Sequence, residues 1–213
     1  MEKGCRNFVL YYPLSTINYL FAMTFEEYLS YFNQSLNSLD RNEVARFLEL
    51  LVDAYDHDRT VFVIGNGGSA ANASHLANDL AKGTLYSKDQ PKRLRALSLT
   101  DNVALMTAYG NDDGYHTIFE QQLRTLARPG DIVIAISGSG NSPNVITAIE
   151  WANANGLHTV GVTGFGGGKL KQIARSTVHV PLNDMCTSES VHSVIFHYVA
   201  LELQKRLRAD QVT

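Results

Sequence analysis

Hydrophobic positions recur along this chain with two alternating periods. Over residues 25–39 and 41–56, apolar side chains return every three or four positions, the signature of a helix with one buried face. Asp40 stands where it can cap the second of these helices. Short β-branched runs then follow at 61–64, 94–99, 132–136 ("IVIAI"), 159–162 and 177–180. Helical periodicity fills the gaps at 70–82, 115–126, 143–155 and 169–174, and a last helix spans about 188–207. Strands that are apolar on both faces and alternate with helices predict a parallel sheet covered on both sides, with right-handed crossovers. The expected fold is therefore α/β: a doubly wound, five-stranded parallel sheet of flavodoxin-like order preceded by N-terminal helices. Such sheets bind ligands at the carboxyl ends of their strands, near the switch point. With no Pro- or Ser-rich linker to divide it, the chain reads as one domain over residues 23–213.

Composition narrows the function. In 213 residues, hydrophobic content is 45% and charged content 18%, which suits a folded globule. The formal charge of −3, with no block of lysine and arginine, argues against nucleic acid as a partner. Cys5 and Cys186 are the only cysteines, too few and too far apart for a disulfide framework, so a reducing cytoplasm is the expected location. No run of eighteen apolar residues marks a membrane span. Residues 1–22 include the apolar, aromatic "NFVLYYPLSTINYLFA" but lack a small-residue cleavage pattern. They are read as an upstream extension or an extra interface segment, with Met23 as the natural start.

Two strand-to-helix turns carry candidate chemistry. The first, Gly65-Asn66-Gly67-Gly68-Ser69, matches the dinucleotide pattern G-x-G-x-x-A through Gly65, Gly67 and Ala70. That motif needs an acidic residue about twenty positions on, whereas Asp101 lies about thirty positions past the turn, so no nucleotide cofactor is expected. The second turn, "SGSGNSPNV", sets Ser137, Ser139 and Ser142 between the strongest strand and a helix. Hydroxyls and free amides at a helix N-terminus donate to anions, and the helix dipole assists them. Without a Walker lysine, this turn suits a phosphate monoester rather than a nucleoside triphosphate.

Proton transfer beside a carbonyl needs a positioned acid and base. His75 and Asp79, four apart, share a face of the helix after the first turn. Glu189 and His192, three apart, share a face of the last helix. His197, five beyond His192, points elsewhere and reads as a packing histidine. Two carboxylates and two imidazoles would also suit a divalent ion such as zinc.

The segments "GNGGSAANASH", "LTDN", "GNDDGY", "PGDIVIAISGSGNSPNV" and "VTGFGGGKL" resemble the sugar isomerase (SIS) domain, and within it the phosphoheptose isomerases, over residues 58–207. The resemblance implies aldose–ketose isomerisation of a sugar phosphate through an enediol, typically sedoheptulose 7-phosphate to a heptose 7-phosphate. It assigns phosphate binding to Ser69, Ser137, Ser139 and Ser142 with the Gly138 backbone, and places Asn66 and Asp101 near the sugar hydroxyls. It also implies a homotetramer with active sites between subunits. The family's His, Glu, Gln and His, which hold zinc in some members, fall here on His75, Asp79, Glu189 and His192, making Asp79 and His192 the acid–base pair. Cys186 replaces a substrate-contacting aspartate, and Gly83, beside Lys82, replaces an arginine. These departures alter the far end of the sugar pocket. Rival readings are a non-catalytic phosphosugar-binding adaptor, of the kind that binds a replication initiator, and a dinucleotide enzyme.

Overall fold

The computed structural model describes residues 23–209, so the reading of residues 1–22 lies outside the described residues. Helix α1 (Phe25–Asn37) starts at a reciprocal capping box, in which Thr24 and Glu27 satisfy each other's backbone amides. Helix α2 (Arg41–Asp56) is capped by Asp40, whose carboxylate accepts from the Asn42 amide at 2.8 Å.

The sheet comprises β1 (Thr60–Gly65), β2 (Arg95–Ser98), β3 (Ile132–Ser137), β4 (His158–Thr163) and β5 (Ser176–His179). All neighbouring strands run parallel in the order β2-β1-β3-β4-β5. The order reverses between β1 and β3, so the expected flavodoxin-like switch point falls between the strands that feed the two candidate turns. Around the sheet lie α3 (Gly68–Asn78), α4 (Val103–Asp112), α5 (Glu120–Leu126), α6 (Pro143–Ala154), α7 (Gly168–Ile173) and α8 (Met185–Ala209).

Side-chain alternation divides the core into two layers. Val61, Val63, Ile132, Ile134 and Ile136 face Phe47 and Leu51 of α2 and Val191, Ile195 and Val199 of α8. Phe62, Ile64, Val133 and Ala135 face Leu123 of α5 and Val145 and Ile149 of α6. Each such side chain contributes about 1.5–3 kcal/mol by leaving water. The β5 edge is shielded from α2, where the Glu43 carboxylate accepts from the Thr177 hydroxyl (2.6 Å) and the His179 amide (2.7 Å). Edge groups satisfied in this way are not free to recruit another strand.

Three elements differ from expectation. The stretch 115–126 is a 3₁₀ turn, Tyr115–Thr117, followed by α5. Helix α4 fully buries none of its residues and leans on the core only through the half-buried Met106 and Tyr109, too short a stripe for periodicity to detect; the Asn102 side chain, accepting from the Leu105 amide, starts it. The helix expected over 70–82 stays α-helical only to Asn78 and then widens into a π-helical turn, Asp79–Gly83. Among the described residues, no helix is long and apolar enough to cross a membrane.

Candidate active site

The two turns stand side by side because β1 and β3 are paired, with Gly65 opposite Ile136. Asn66 of the first and Asn144 of the second join them through a reciprocal amide pair, 2.9 Å in each direction, and the Tyr115 hydroxyl donates to Asn66 Oδ1 at 3.0 Å. Gly65 must be glycine, because a Cβ there would lie 2.6 Å from the Ser69 carbonyl oxygen. Asp101, at the end of β2, accepts from the hydroxyls of Ser74 and Thr100. It therefore belongs to a polar rim reaching α3.

In the second turn, Ser137, Ser139 and Ser142 follow β3 directly, and Ser142 is the N-cap residue of α6 with Pro143 at its first position. The Ser137 and Ser142 hydroxyls hydrogen-bond to each other at 3.3 Å, and Ser142 makes no capping bond to the helix, so the pair keeps one hydroxyl proton to donate to an anion. The "GFGGGKL" loop braces this turn from below. The Gly164 amide donates to the Gly138 carbonyl (2.8 Å), the Leu170 amide to the Gly140 carbonyl (2.9 Å) and the Lys169 amide to Asn141 Oδ1 (3.0 Å). Two backbones approach this closely only without side chains: a Cβ on Gly140, at φ +66°, would collide with the Gly167 carbonyl. Gly138 is likewise pressed against Met185.

The expected acid–base residues separate. On α8 the face turned toward α3 is set by a four-residue step, Glu189, Ser193 and His197. Asn72 Nδ2 donates to the Glu189 carbonyl (3.0 Å), and the Ser193 hydroxyl donates to Asn72 Oδ1 (2.8 Å). One step further along, the His197 and His75 Nε2 atoms are 3.2 Å apart, and Asp79 Oδ2 lies 3.5 Å from His75 Nε2 and 3.7 Å from His197 Nε2. Asp79 is held by its position where α3 opens into the π-helical turn, a distortion frequent at functional sites.

Within this chain His192, expected to pair with Asp79, does not join them. Each helical residue turns about 100°, so His192, one position before Ser193, faces the sheet. Its ring is fully buried, and its Nε2 is 3.2 Å from the Thr163 carbonyl. Burial pushes its pKa down to about 4, partly opposed by the bond to Thr163, so the ring is neutral and donates from Nε2. Nδ1 has no partner. His197, read from sequence as a packing residue, is half exposed and occupies the position expected of His192. The signal that identifies it is the spacing Glu189-Ser193-His197 opposite Asn72-His75-Asp79.

Glu189 also stands apart from His75 and Asp79. Its carboxylate lies over the start of α3, where the Ser69 hydroxyl is 3.4 Å from Oε1. Burial raises its pKa, opposed by hydrogen bonds from the Ser69 side chain and backbone. The Ser69 hydroxyl, expected on phosphate, is thus engaged within the chain. Cys186 is exposed and free, and its amide donates to Asp184 Oδ1. The Gly83 carbonyl accepts from Gln204 on α8.

His75, Asp79 and His197 fit a metal ion. Tetrahedral zinc with ligands at about 2.0–2.1 Å places ligand atoms roughly 3.3 Å from one another, close to the 3.2, 3.5 and 3.7 Å found here. All three ligand atoms lie within 4.8 Å of one another. Three protein ligands leave a fourth position open, the arrangement of catalytic rather than structural sites.

Residues 25–164 match the SIS domain family model. The chain is 40% identical over 169 residues to the phosphoheptose isomerase of Geotalea daltonii, covering 79% of this chain and 86% of that protein. It is 39% identical over 177 residues to the one from Geobacter sulfurreducens, covering 82% and 92%. Among solved structures, the phosphoheptose isomerase of Neisseria gonorrhoeae superposes with a TM-score of 0.77 at 28% identity, over 90% of this chain and 98% of that one. The Francisella tularensis enzyme gives 0.78 at 27%, over 92% and 100%. Sheet order, paired turns and these likenesses agree: the chain belongs to the SIS domain family, on the branch of the phosphoheptose isomerases.

Proposed function

We propose that this protein interconverts an aldose and a ketose phosphate, with a seven-carbon sugar 7-phosphate as substrate, and that Asp79 and His197 transfer the proton. The carrying observation is the meeting of Asp79, His75 and His197 across two helices, one of which starts at the first glycine turn. Isomerisation removes a proton from the carbon beside the carbonyl, forms an enediol and returns the proton to the neighbouring carbon. Asp79 is placed to take that proton, and the imidazole of His197, 3.7 Å away, to supply one to the oxygen. His75 orients both groups. The phosphate docks on Ser137, Ser139, Ser142 and the free amides at the start of α6, where the helix dipole favours negative charge. Asn66, Tyr115 and Asp101 face the sugar hydroxyls. A zinc ion held by His75, Asp79 and His197 would occupy the His197 nitrogen and polarise the substrate carbonyl oxygen in place of its proton.

The working site is completed by a neighbouring subunit in a homotetramer. Rising about 1.5 Å per residue, α3 carries Asp79 roughly 16 Å beyond the first turn. The cleft lined by Asn72, His75, Asp79, Ser193, Phe196 and His197 is too narrow by itself to admit a ligand. Beside His197, α8 exposes Val194, Tyr198 and Leu201, an apolar stripe that suits a second copy. A cytoplasmic location fits the free Cys186. The departures at Asp79, Gly83, Cys186 and Glu189 bear on which sugar is used.

The test is a coupled or NMR assay of C5–C7 ketose phosphates, with and without chelator. Turnover of a C7 substrate that Asp79→Asn lowers about 10²–10⁴-fold, with phosphate affinity kept, is the expected result. Full activity in Asp79→Asn would refute the assignment. A chelator-insensitive, metal-free enzyme would remove zinc alone.

A further inference from the structure

The first glycine turn already holds an anion, and it belongs to the protein. Helix α3 begins after Gly67, which has no side chain with which to cap it. The Glu189 carboxylate fills that place instead. A Cβ on Gly68 would lie 2.6 Å from Oε1 and nearer still to Oε2, and Ser69 donates to Oε1. The carboxylate is fixed from behind, because the Glu189 carbonyl accepts both from Asn72 Nδ2 (3.0 Å) and from the Ser193 hydroxyl (3.1 Å). The second turn differs: among the described residues, no acidic side chain hydrogen-bonds to Ser137, Ser139 or Ser142. Because the Asn66–Asn144 pair ties the two turns together, a ligand whose phosphate sits on the second turn presents its other groups toward the first.

Resting on the reading of the second turn as the phosphate site, we propose that Glu189 is a specificity-determining residue. Its carboxylate restricts the site to sugars with a single phosphate and otherwise neutral hydroxyls, and rejects sugar bisphosphates and phosphorylated sugar acids. A hydroxyl can donate to this carboxylate. A second phosphate or a carboxylate cannot, and would face a like charge in a partly desolvated setting where such repulsion is strong. The same carboxylate accepts from the Ser69 side chain and backbone at the start of α3, donors that would otherwise attract that second anion.

The full-length protein, the Glu189→Gln variant and the Glu189→Asp variant are titrated calorimetrically with fructose 6-phosphate, fructose 1,6-bisphosphate and 6-phosphogluconate. Wild type binds the monophosphate at least tenfold more tightly than either probe with a second anionic group. Glu189→Gln, which keeps the shape and an accepting oxygen, narrows that ratio fivefold or more, whereas Glu189→Asp, which keeps the charge, retains the preference. A ratio in Glu189→Gln within fivefold of wild type overturns the inference, as does equal binding of mono- and bisphosphate by wild type. If wild type binds no sugar phosphate at all, the phosphate-site reading itself fails, a result separable from an unchanged ratio. Melting curves confirm that each variant is folded.

Discussion

Two histidines five residues apart on α8 should respond oppositely to replacement. His197 is half exposed, and its Nε2 lies among groups assigned to proton transfer. His197→Gln removes the titratable imidazole but little packing, so the melting temperature should hold within about two degrees, as for most surface changes. A lost general acid–base group costs about 10²–10⁴ in rate, or roughly 3–5 kcal/mol of transition-state stabilisation. His192→Phe should do the reverse. It removes the Nε2 bond to the Thr163 carbonyl, but that oxygen keeps the Val180 amide at 2.8 Å. The loss is therefore near the net value of one hydrogen bond, about 1 kcal/mol, plus about 1–2 kcal/mol for forcing a larger ring into a filled core. For a chain of this size, that lowers the melting temperature by roughly 4–12 °C, while kcat should stay within about threefold. The assay pairs steady-state kinetics on a C7 ketose phosphate with thermal unfolding of both variants. A His192→Phe enzyme that is folded but inactive, beside a fully active His197→Gln enzyme, would show that the register assigned to α8 is wrong.

Other consequences follow from the same geometry. The buried ring of His192 titrates at about 4, against about 6.5 for a free histidine. Its contribution to stability is complete above pH 6.5 and falls as pH drops toward 4, by about 3 kcal/mol in all at 1.36 kcal/mol per pH unit; urea unfolding of wild type and His192→Phe across this window should show that dependence only in wild type. Gly140→Ala should destabilise by more than about 2 kcal/mol and weaken phosphate binding, since it adds strain at positive φ to a collision with the Gly167 carbonyl; a fully stable variant in thermal melts would refute the bracing role of the glycine loop. Leu201→Glu, on the exposed stripe of α8, should shift the assembly toward smaller species in light scattering and reduce activity, and an active monomer would defeat the shared site.

Periodicity by itself determined the sheet. β-branched runs separated by amphipathic stretches admit one economical arrangement, because a strand apolar on both faces must be covered on both, and right-handed crossovers then order the strands. The turns were legible for a related reason: glycines and serines between a strand and a helix state a local backbone requirement that needs no distant partner. What no local pattern carries is the rotation of one helix about its axis against another. Glu189 and His192 share a face in sequence, yet the packing of Asn72 against Glu189 and Ser193 turns His197 outward to His75 and sends His192 into the core beside Thr163. A shift of one position along α8 rotates a side chain by about 100°. The choice between a buried, neutral imidazole and one able to exchange protons was therefore made only when α3 and α8 met. Helix α4 was invisible for the complementary reason, since only Met106 and Tyr109 rest half-buried on the core and leave too short a hydrophobic period to read. The placement of Glu189 over Gly68 likewise depends on a contact between residues 121 positions apart, and arises only when the last helix closes over the first turn.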